Sequence, residues 1–329
     1  MRRKHRGGTC CDSEAPRPPK RPPSGNFARQ ESAPADSCLR RDRVRSVPTL
    51  RYVIIDVFTD RALAGNQLAV FTDGRGIDSE TMQALALEIG FSETVFVLPP
   101  EQNGHARIRI FNPWTEMQFA GHPTLGAAFT LAAPLQLGVI ALETGAGLVE
   151  ITLERDSSGR LDFGRMHQPI PKIHRFEETE ALFAALGVAG SELPVELYDN
   201  GATHIVVTLA DEYAVAALAP EKNAIAQFEV TGVNCFARTG DRWKTRMFWP
   251  LGEDAATGSA AGPLACHVCR HGLVPWGTEI EISQGEEIGR PSTLYARAEG
   301  SDAVIERVEV GGRAVVVARG EFRLGERGS

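Results

Sequence analysis

Three titratable side chains in this sequence stand beside glycine-containing turns and are candidates for proton transfer. Glu93 precedes an apolar run, His122 follows Gly121, and Asp254 lies four residues before Gly258. A carboxyl group whose pKa is raised by apolar surroundings can remove a proton and return it near neutral pH. The same residue types are also common as solvated loop acids and helix caps, so both interpretations stay open at each position.

The two glycine turns are suited to binding an anion as well as to starting a helix. Each is followed by an Ala-rich segment, and the first turn of a helix carries free backbone N–H groups and the positive end of the helix dipole. A small carboxylate can therefore bind there without an arginine or a metal. Simple capping is the alternative, with Pro123 at the first helical position and His122 or Gly121 as the cap.

Alternating apolar runs and turn residues predict the elements that position these groups. Asp78 or Ser79 caps a helix that Gly90 ends. A second, buried helix is expected at 125–132 and a third near 177–186. The predicted strands are 52–58, 67–72, 94–98, 106–111, 139–142, 148–153, 205–209 and 232–237.

The chain also contains a weak internal repeat. Residues 119–128 align with residues 256–265, each a strand exit, a glycine turn and an Ala-rich helix. The repeat indicates a duplicated α+β domain. We divide it into an N-terminal lobe, 50–168, and a C-terminal lobe, 169–329, with the last strands free to return to the first lobe.

Composition excludes several classes of protein. Of the 329 residues 43% are hydrophobic and 23% are charged, which excludes collagen-like, coiled-coil and wholly disordered chains. Residues 1–49 hold 12 basic and 5 acidic side chains and 7 of the 20 prolines, so a disordered basic tail is predicted there. The remaining 23 basic and 37 acidic residues disfavour nucleic-acid binding by the body.

The expected location is the cytoplasm, with the cysteines reduced. We find no N-terminal apolar export segment, and half of the six cysteines lie in the basic tail. The longest uncharged stretch, 120–142, contains a histidine, a glutamine and two prolines. It predicts a buried helix followed by a strand rather than a membrane span.

Metal and nucleotide sites receive little support from the sequence. Cys266, His267, Cys269 and His271 form a metal-like set, but the body contains no second pair of closely spaced cysteines, and we expect no metal. The glycine patterns include neither a dinucleotide fingerprint nor a phosphate-binding loop. We therefore expect no cofactor.

Several blocks between residues 51 and 324 together resemble the PhzF proteins of phenazine biosynthesis, within the diaminopimelate epimerase-like superfamily. The blocks are 52–56 (YVIID), 64–66 (AGN), 91–97 (FSETVFV), 119–123 (FAGHP), 233–237 (VNCFA), 253–265 (EDAATGSAAGPLA) and 284–292 (QGEEIGRPS). The resemblance implies two lobes, each a β-barrel-like sheet around a central helix, a cleft between them, and a homodimer. A mechanism with two cleft cysteines is disfavoured, because neither glycine turn contains cysteine.

The resemblance also implies an activity, the cofactor-free isomerisation of trans-2,3-dihydro-3-hydroxyanthranilate. In that reaction Glu93 moves a proton from ring C3 to C1 and leaves an enol that becomes a ketone. His122 and Asp254 match positions that orient the polar groups of the substrate. The other matching positions line the cleft and are Ser92, Gly121, Gly258 and Ser259.

Two other functions stay open on sequence alone. An isomerase or epimerase of another small amino or hydroxy acid would have the same fold. A non-catalytic protein that binds a small carboxylate, with its basic tail recruiting a partner, would belong to a different class.

Overall fold

The computed structural model describes residues 49–250 and 252–325. Apart from Thr49, the predicted basic tail lies outside the described residues. The described strands of the first half are β1 (Thr49–Val57), β2 (Asn66–Phe71), β3 (Glu93–Leu98), β4 (Ala106–Phe111), β5 (Glu116–Met117), β6 (Val139–Thr144), β7 (Gly147–Arg155) and β8 (Leu161–Gln168). Those of the second half are β9 (Lys172–Arg175), β10 (Glu196–Asp199), β11 (Thr203–Thr208), β12 (Gly232–Thr239), β13 (Arg242–Trp249), β14 (Gly252–Asp254), β15 (Glu279–Gln284), β16 (Ser292–Gly300), β17 (Ile305–Gly312) and β18 (Ala314–Arg323).

Helices interrupt this series of strands at corresponding points of the two halves. They are α1 (Ser79–Ile89), α2 (Gly121–Leu135), α3 (Thr179–Leu186), α4 (Glu212–Ala216), α5 (Lys222–Ile225) and α6 (Gly258–Arg270), with a short 3₁₀ turn at Glu286–Ile288. Within the described ranges, no helix is long and apolar enough to cross a membrane.

The strand pairing follows the same order in both halves. In the first, β1–β2 is antiparallel, β2–β3 parallel, β3–β4 antiparallel, β4–β6 parallel, and β6–β7 and β7–β8 antiparallel. The same succession runs from β10 to β17, with β13–β15 as its second parallel pair. The halves join where β8 pairs with β17, and β18 returns to pair with β1. The prediction of a duplicated α+β fold is therefore confirmed.

Each half surrounds one buried helix. α2 contacts β1, β2, β3, β4, β6, β8 and β18, while α6 contacts β11, β15, β16 and β17. Ala and Gly are frequent along both helices, and such small side chains let strands approach a helix closely. Both helices belong to one hydrophobic core. The surrounding strands thereby hold the N-terminal ends of both helices in place.

Local capping signals predicted one helix start well and another less well. The Asp78 carboxylate accepts the Thr81 N–H at 2.8 Å, and Gly90 ends α1 with φ 69°. The predicted cap of α2 at His122 or Gly121 is wrong, because Ala120 is the N-cap. The Ala120 carbonyl accepts both the N–H and the hydroxyl of Thr124, at 3.3 and 2.8 Å. Pro123 therefore lies inside the first turn, where a missing N–H removes no helical hydrogen bond.

Candidate active site

A cleft of about 250 Å³ lies where the N-terminal ends of α2 and α6 meet. All seven residues that the sequence predicted for the site line it: Ser92, Glu93, Gly121, His122, Asp254, Gly258 and Ser259. The other lining residues are Asn112, Thr115, Met117, Ala120, Thr231, Met247, Trp249 and Thr257. The wall is mostly apolar and comes from both halves of the fold. Such a cleft suits a small ring with a few polar substituents.

Two glycines allow the helix ends to approach each other. A Cβ atom added to Gly121 would lie 2.7 Å from both the Gly258 carbonyl carbon and the Ser259 nitrogen. A Cβ on Gly258 would lie 3.2 Å from the Gly121 Cα. Because backbone atoms occupy the space beside Gly121, no larger residue fits there without moving a helix, and a Cβ on Gly258 would also lie 3.0 Å from the Phe58 ring.

Both helix N-termini lack a side-chain cap. Neither Ala120 nor Thr257 makes a capping hydrogen bond, and neither first turn contains an acidic residue. The first N–H groups of a helix have no partner within the helix, and the helix dipole makes this end positive. Both helix ends at the cleft therefore meet a condition for binding an anion, and the binding itself stays a prediction.

Glu93 is the first residue of β3, one position earlier than the sequence predicted for the strand. Only 15% of its side chain is exposed, and its Oε2 lies 3.3 Å from Nε2 of His122. Neither of these two buried atoms makes a hydrogen bond within the described structure. The Glu93 carboxyl group is thus buried at the cleft and available to a ligand.

Burial sets the protonation of this pair. Desolvation, and to a lesser extent the Asp254 charge, raise the pKa of Glu93 to about 8, although the Ser92 hydrogen bond lowers it. Burial lowers the pKa of His122 to about 3, partly offset by a backbone hydrogen bond to Gln67. Near neutral pH, Glu93 therefore exchanges readily between its two forms while His122 stays a neutral imidazole.

Asn66 connects the polar groups of the two halves. Its amide nitrogen donates to Asp254 Oδ1 at 2.8 Å and to the Ala256 carbonyl at 2.9 Å, and lies 3.2 Å from His122 Nδ1. Its amide oxygen accepts from the Ser92 hydroxyl at 3.3 Å. The buried Asn66 amide thereby contacts four residues of the site, Asp254, Ala256, His122 and Ser92.

Asp254 is held between donors on both sides. The Thr257 hydroxyl donates to its Oδ2 at 2.6 Å. Burial raises the pKa of Asp254 to about 6, whereas the hydrogen bonds from Thr257 and Asn66 lower it. Asp254 therefore remains largely a hydrogen-bond acceptor at neutral pH, suited to a ligand ammonium or hydroxyl group.

Further polar contacts fix the first turn of α6. Ser259 Oγ lies 2.9 Å from Nε2 of His204, whose pKa burial lowers to about 4. The Gln168 amide donates to the Gly258 carbonyl at 2.8 Å, and the Asn200 amide donates to the Ser259 carbonyl at 3.0 Å. The helix end that faces the cleft is therefore rigid.

Sequence reasoning missed several residues of the site. Asn66 carried a signal, since it belongs to a block of the family resemblance, but the turn at Gly65 explained it equally well. Met117, Met247 and Trp249 carried none, because apolar residues at strand ends are ordinary core residues. Only the long-range strand pairing brings them to the cleft.

The metal-like set in α6 does not assemble as the sequence spacing suggested. Cys266 and Cys269 are buried in the hydrophobic core. Burial raises the pKa of their thiols to about 12 and about 11, which disfavours the thiolate that a metal needs. His267 and His271 instead contact Glu196. The hypothesis of a Cys/His site is therefore wrong.

Comparison with known proteins identifies the relatives of this chain. A family model described as phenazine biosynthesis-like protein, PhzC-PhzF, matches residues 55–320. A trans-2,3-dihydro-3-hydroxyanthranilate isomerase from Pseudomonas aeruginosa is 48% identical over 277 residues, covering 83% of this chain and 99% of that protein.

Solved structures show the same architecture. A PhzF-family phenazine biosynthesis protein from Bacillus anthracis matches 84% of this chain and 100% of its own, with TM-score 0.74 and 23% identity. A hydroxyproline epimerase from Agrobacterium vitis matches 84% of this chain and 93% of its own, with TM-score 0.60 and 13% identity. At these identities the likeness concerns the fold alone. It confirms the epimerase-like two-lobe fold.

Proposed function

The chain belongs to the phenazine biosynthesis-like PhzC-PhzF family and is an isomerase, and we propose that it converts trans-2,3-dihydro-3-hydroxyanthranilate with Glu93 as the acid and base. One observation carries the assignment of Glu93. It is a buried carboxyl group, with a pKa raised to about 8, that faces the cleft without a hydrogen bond on Oε2. Such a group can both accept and return a proton near neutral pH.

The proposed reaction moves protons and no other atom: Glu93 moves one from C3 to C1, and tautomerisation of the enol moves a second. Glu93 takes the proton from ring C3, and the electron pair of the broken C3–H bond shifts into the ring. The same carboxyl group then delivers a proton to C1, which leaves an enol at C3. The enol proton moves to carbon as the C3–O bond becomes a ketone. The net reaction is an isomerisation that requires no oxidant, metal or cofactor.

The surrounding groups bind and orient the substrate in this proposal. Its carboxylate lies at the uncapped N-termini of α2 and α6, where Gly121, Gly258 and Ser259 present backbone N–H groups. Asp254 accepts from the substrate's amino or hydroxyl group. His122, neutral at working pH, contacts Glu93 and the polar edge of the ring, and Ser92, whose hydroxyl donates to Asn66, lines the cleft beside Glu93.

An NMR time course tests the proposal. The full chain is incubated with trans-2,3-dihydro-3-hydroxyanthranilate in H₂O and in D₂O, without added metal or cofactor. We expect loss of substrate signals and a ketone product, with deuterium in D₂O at the carbon that receives the enol proton. The Glu93→Gln variant keeps the shape but removes the titrating group, so its turnover should be abolished. Glu88→Gln, a change at an exposed glutamate of α1, is the matched control and should leave the rate unchanged.

Each result has a distinct meaning. Turnover retained by Glu93→Gln would refute Glu93 as the acid and base. No turnover by the unchanged chain, beside an active control enzyme, would refute the substrate and direct the search to other small amino or hydroxy acids.

The homodimer implied by the family resemblance is also part of the proposal. Sedimentation equilibrium of the full chain should give twice the monomer mass. A monomer at micromolar concentration would contradict it.

A further inference from the structure

A second cluster of chemically capable side chains lies at the opposite end of α6 from the cleft. His267 and His271 are one helical turn apart on α6 and its C-cap, and Glu196 opens the neighbouring strand β10. At a rise of 1.5 Å per residue, the two histidines lie roughly 13 and 20 Å along the helix from Gly258. The cluster is therefore separate from the proposed active site, and an inference about it does not depend on the proposed reaction.

Each of the three side chains offers one ligand atom, and these three atoms all lie within 4.8 Å of one another. Glu196 Oε2 lies 3.1 Å from His267 Nδ1 and 3.2 Å from His271 Nε2. In a tetrahedral zinc site with bonds of about 2.0–2.1 Å, neighbouring ligand atoms are about 3.3–3.4 Å apart. The observed separations are within a few tenths of an ångström of that value. Two imidazoles and a carboxylate are also a ligand set that zinc favours.

A hydrogen-bonded cluster is the alternative arrangement of these side chains. The hydroxyl of the buried Tyr198 donates to the same Glu196 Oε2 at 2.8 Å and lies 3.1 Å from His267 Nδ1. Without an ion, His267 can donate to Tyr198 while Tyr198 and His271 donate to Oε2 and use its two lone pairs. If the histidines coordinate an ion instead, Oε2 keeps one hydrogen bond, from Tyr198, and uses its other lone pair for the ion.

The neighbouring residues prepare Glu196 for this role. Arg270 Nη2 lies 3.2 Å from Glu196 Oε1 and fixes the carboxylate so that Oε2 faces the histidines. His267 is fully buried, whereas the side chains of Glu196 and His271 are 13% and 19% exposed. An ion can enter from their side, and a water molecule can complete its coordination.

We propose that Glu196, His267 and His271 bind one Zn²⁺ ion that ties β10 to the C-terminal end of α6. The ion would be structural, since it joins two elements of the second half and lies outside the cleft. It would stabilise the fold against local separation of β10 from the helix.

Zinc binding to the full chain tests the proposal. The protein is stripped with a chelator and titrated with Zn²⁺ against a chromophoric competitor, and its thermal unfolding is measured with and without Zn²⁺. His271→Ala and Glu196→Gln each remove one ligand, while His174→Ala removes an exposed histidine of the adjacent strand β9 and is the matched control. The comparison among variants cancels any zinc that the cysteines of the basic tail bind.

We expect the unchanged chain and His174→Ala to bind one more zinc than His271→Ala, and to gain several degrees in Tm on zinc addition. Glu196→Gln should weaken binding at least tenfold. Cobalt substitution should give the visible bands of a tetrahedral ion, without the thiolate charge-transfer band that cysteine ligation produces. If Glu196→Gln does not fold, His271→Ala, a change at a partly exposed side chain, decides. Equal zinc stoichiometry and affinity in the unchanged chain and His271→Ala would overturn the proposal and leave a hydrogen-bonded cluster.

Discussion

The contact between the two helix N-termini leads to a quantitative prediction for Gly121→Ala. The added Cβ would lie 2.7 Å from two backbone atoms of Gly258 and Ser259, whereas ordinary contacts of a Cβ atom begin at 3.4 Å. The helix ends must therefore separate by about 0.7 Å, the difference between these distances. The first turn of α6 cannot rotate away, because Gln168 and Asn200 hold its carbonyls.

A shift of this size acts on both stability and catalysis. Overpacking of a rigid contact costs about 1–3 kcal/mol of unfolding free energy. The same displacement moves the N–H groups that would bind the substrate carboxylate relative to Glu93. Misplacement of reacting groups by about 1 Å lowers rates by roughly 10²-fold, or about 2.7 kcal/mol in the barrier. We therefore expect kcat/KM to fall between ten- and a hundredfold while most of the protein remains folded.

Two measurements separate these effects. Denaturant unfolding gives the change in stability, and the initial rate of isomerisation at saturating and limiting substrate gives kcat and kcat/KM. Gly138→Ala is the matched control, since a Cβ there meets no atom within 4 Å, and both quantities should stay unchanged. A Gly121→Ala variant with the unchanged chain's kcat/KM would refute the idea that the spacing of the two helix ends positions the substrate.

Three further predictions concern the side chains of Glu93, Asn66 and Arg290. The pKa of Glu93 rises from 4.5 in the unfolded chain to about 8 in the fold. Its contribution to stability is therefore complete below pH 4.5 and is lost as pH rises through 8. Thermal unfolding should show Glu93→Gln gaining stability over the unchanged chain across that range, and a constant difference would contradict the burial argument. Asn66→Ala removes a hydrogen bond that lowers the pKa of Asp254, so the pH–rate profile should move to higher pH and kcat/KM should drop about tenfold; an unmoved profile would show that Asn66 does not tune the site. Arg290→Met leaves the buried Asp56 carboxylate without the guanidinium that lies 2.7 Å away and should cost about 3–5 kcal/mol of unfolding free energy, measured with denaturant. The control Arg51→Met breaks an exposed ion pair and should cost less than about 1 kcal/mol. Equal losses would contradict the importance of burial for the Arg290–Asp56 pair.

The parts of the fold that the sequence predicted are those with local causes. A cap residue, a glycine with positive φ and an alternating apolar run each act within a few positions, so α1 and the hairpin of β6 and β7 matched closely. The start of α2 was misplaced because a proline fits anywhere in the first turn. Seven of the residues that line the cleft were named from the sequence because several family blocks occur there in a fixed order. No single motif would have identified them.

The parts that escaped prediction depend on contacts between distant residues. Asn66 and Asp254 are 188 positions apart, and only the arrangement of both halves around their helices brings them together. Glu196 and His267 are 71 positions apart, so the spacing within α6 suggested the two buried cysteines as partners instead. Sequence spacing predicts shared helix faces well, but it carries no information on which strand covers a face.

The matching strand registers of the two halves allow each site residue to be assigned a counterpart. Thr94 pairs with Phe111, and Phe111 with Glu116; in the second half Val233 pairs with Phe248, and Phe248 with Glu253. Thr94 therefore corresponds to Val233, and counting along the same strands pairs Glu93 with Gly232 and Met117 with Asp254. His122 corresponds to Ser259, because each is the second residue of its helix.

These counterparts explain why a duplicated fold supports chemistry with one base. In a symmetric site each half would supply its own acid or base, and a proton would leave to one side and arrive from the other. Here the counterpart of Glu93 in the second half is Gly232, which has no titratable group. The second half instead supplies Asp254, where the first has only the thioether of Met117. In the proposed reaction the first half would therefore supply the one acid and base, and the second half the carboxylate that accepts from the substrate, so the proton would return to the face from which it came.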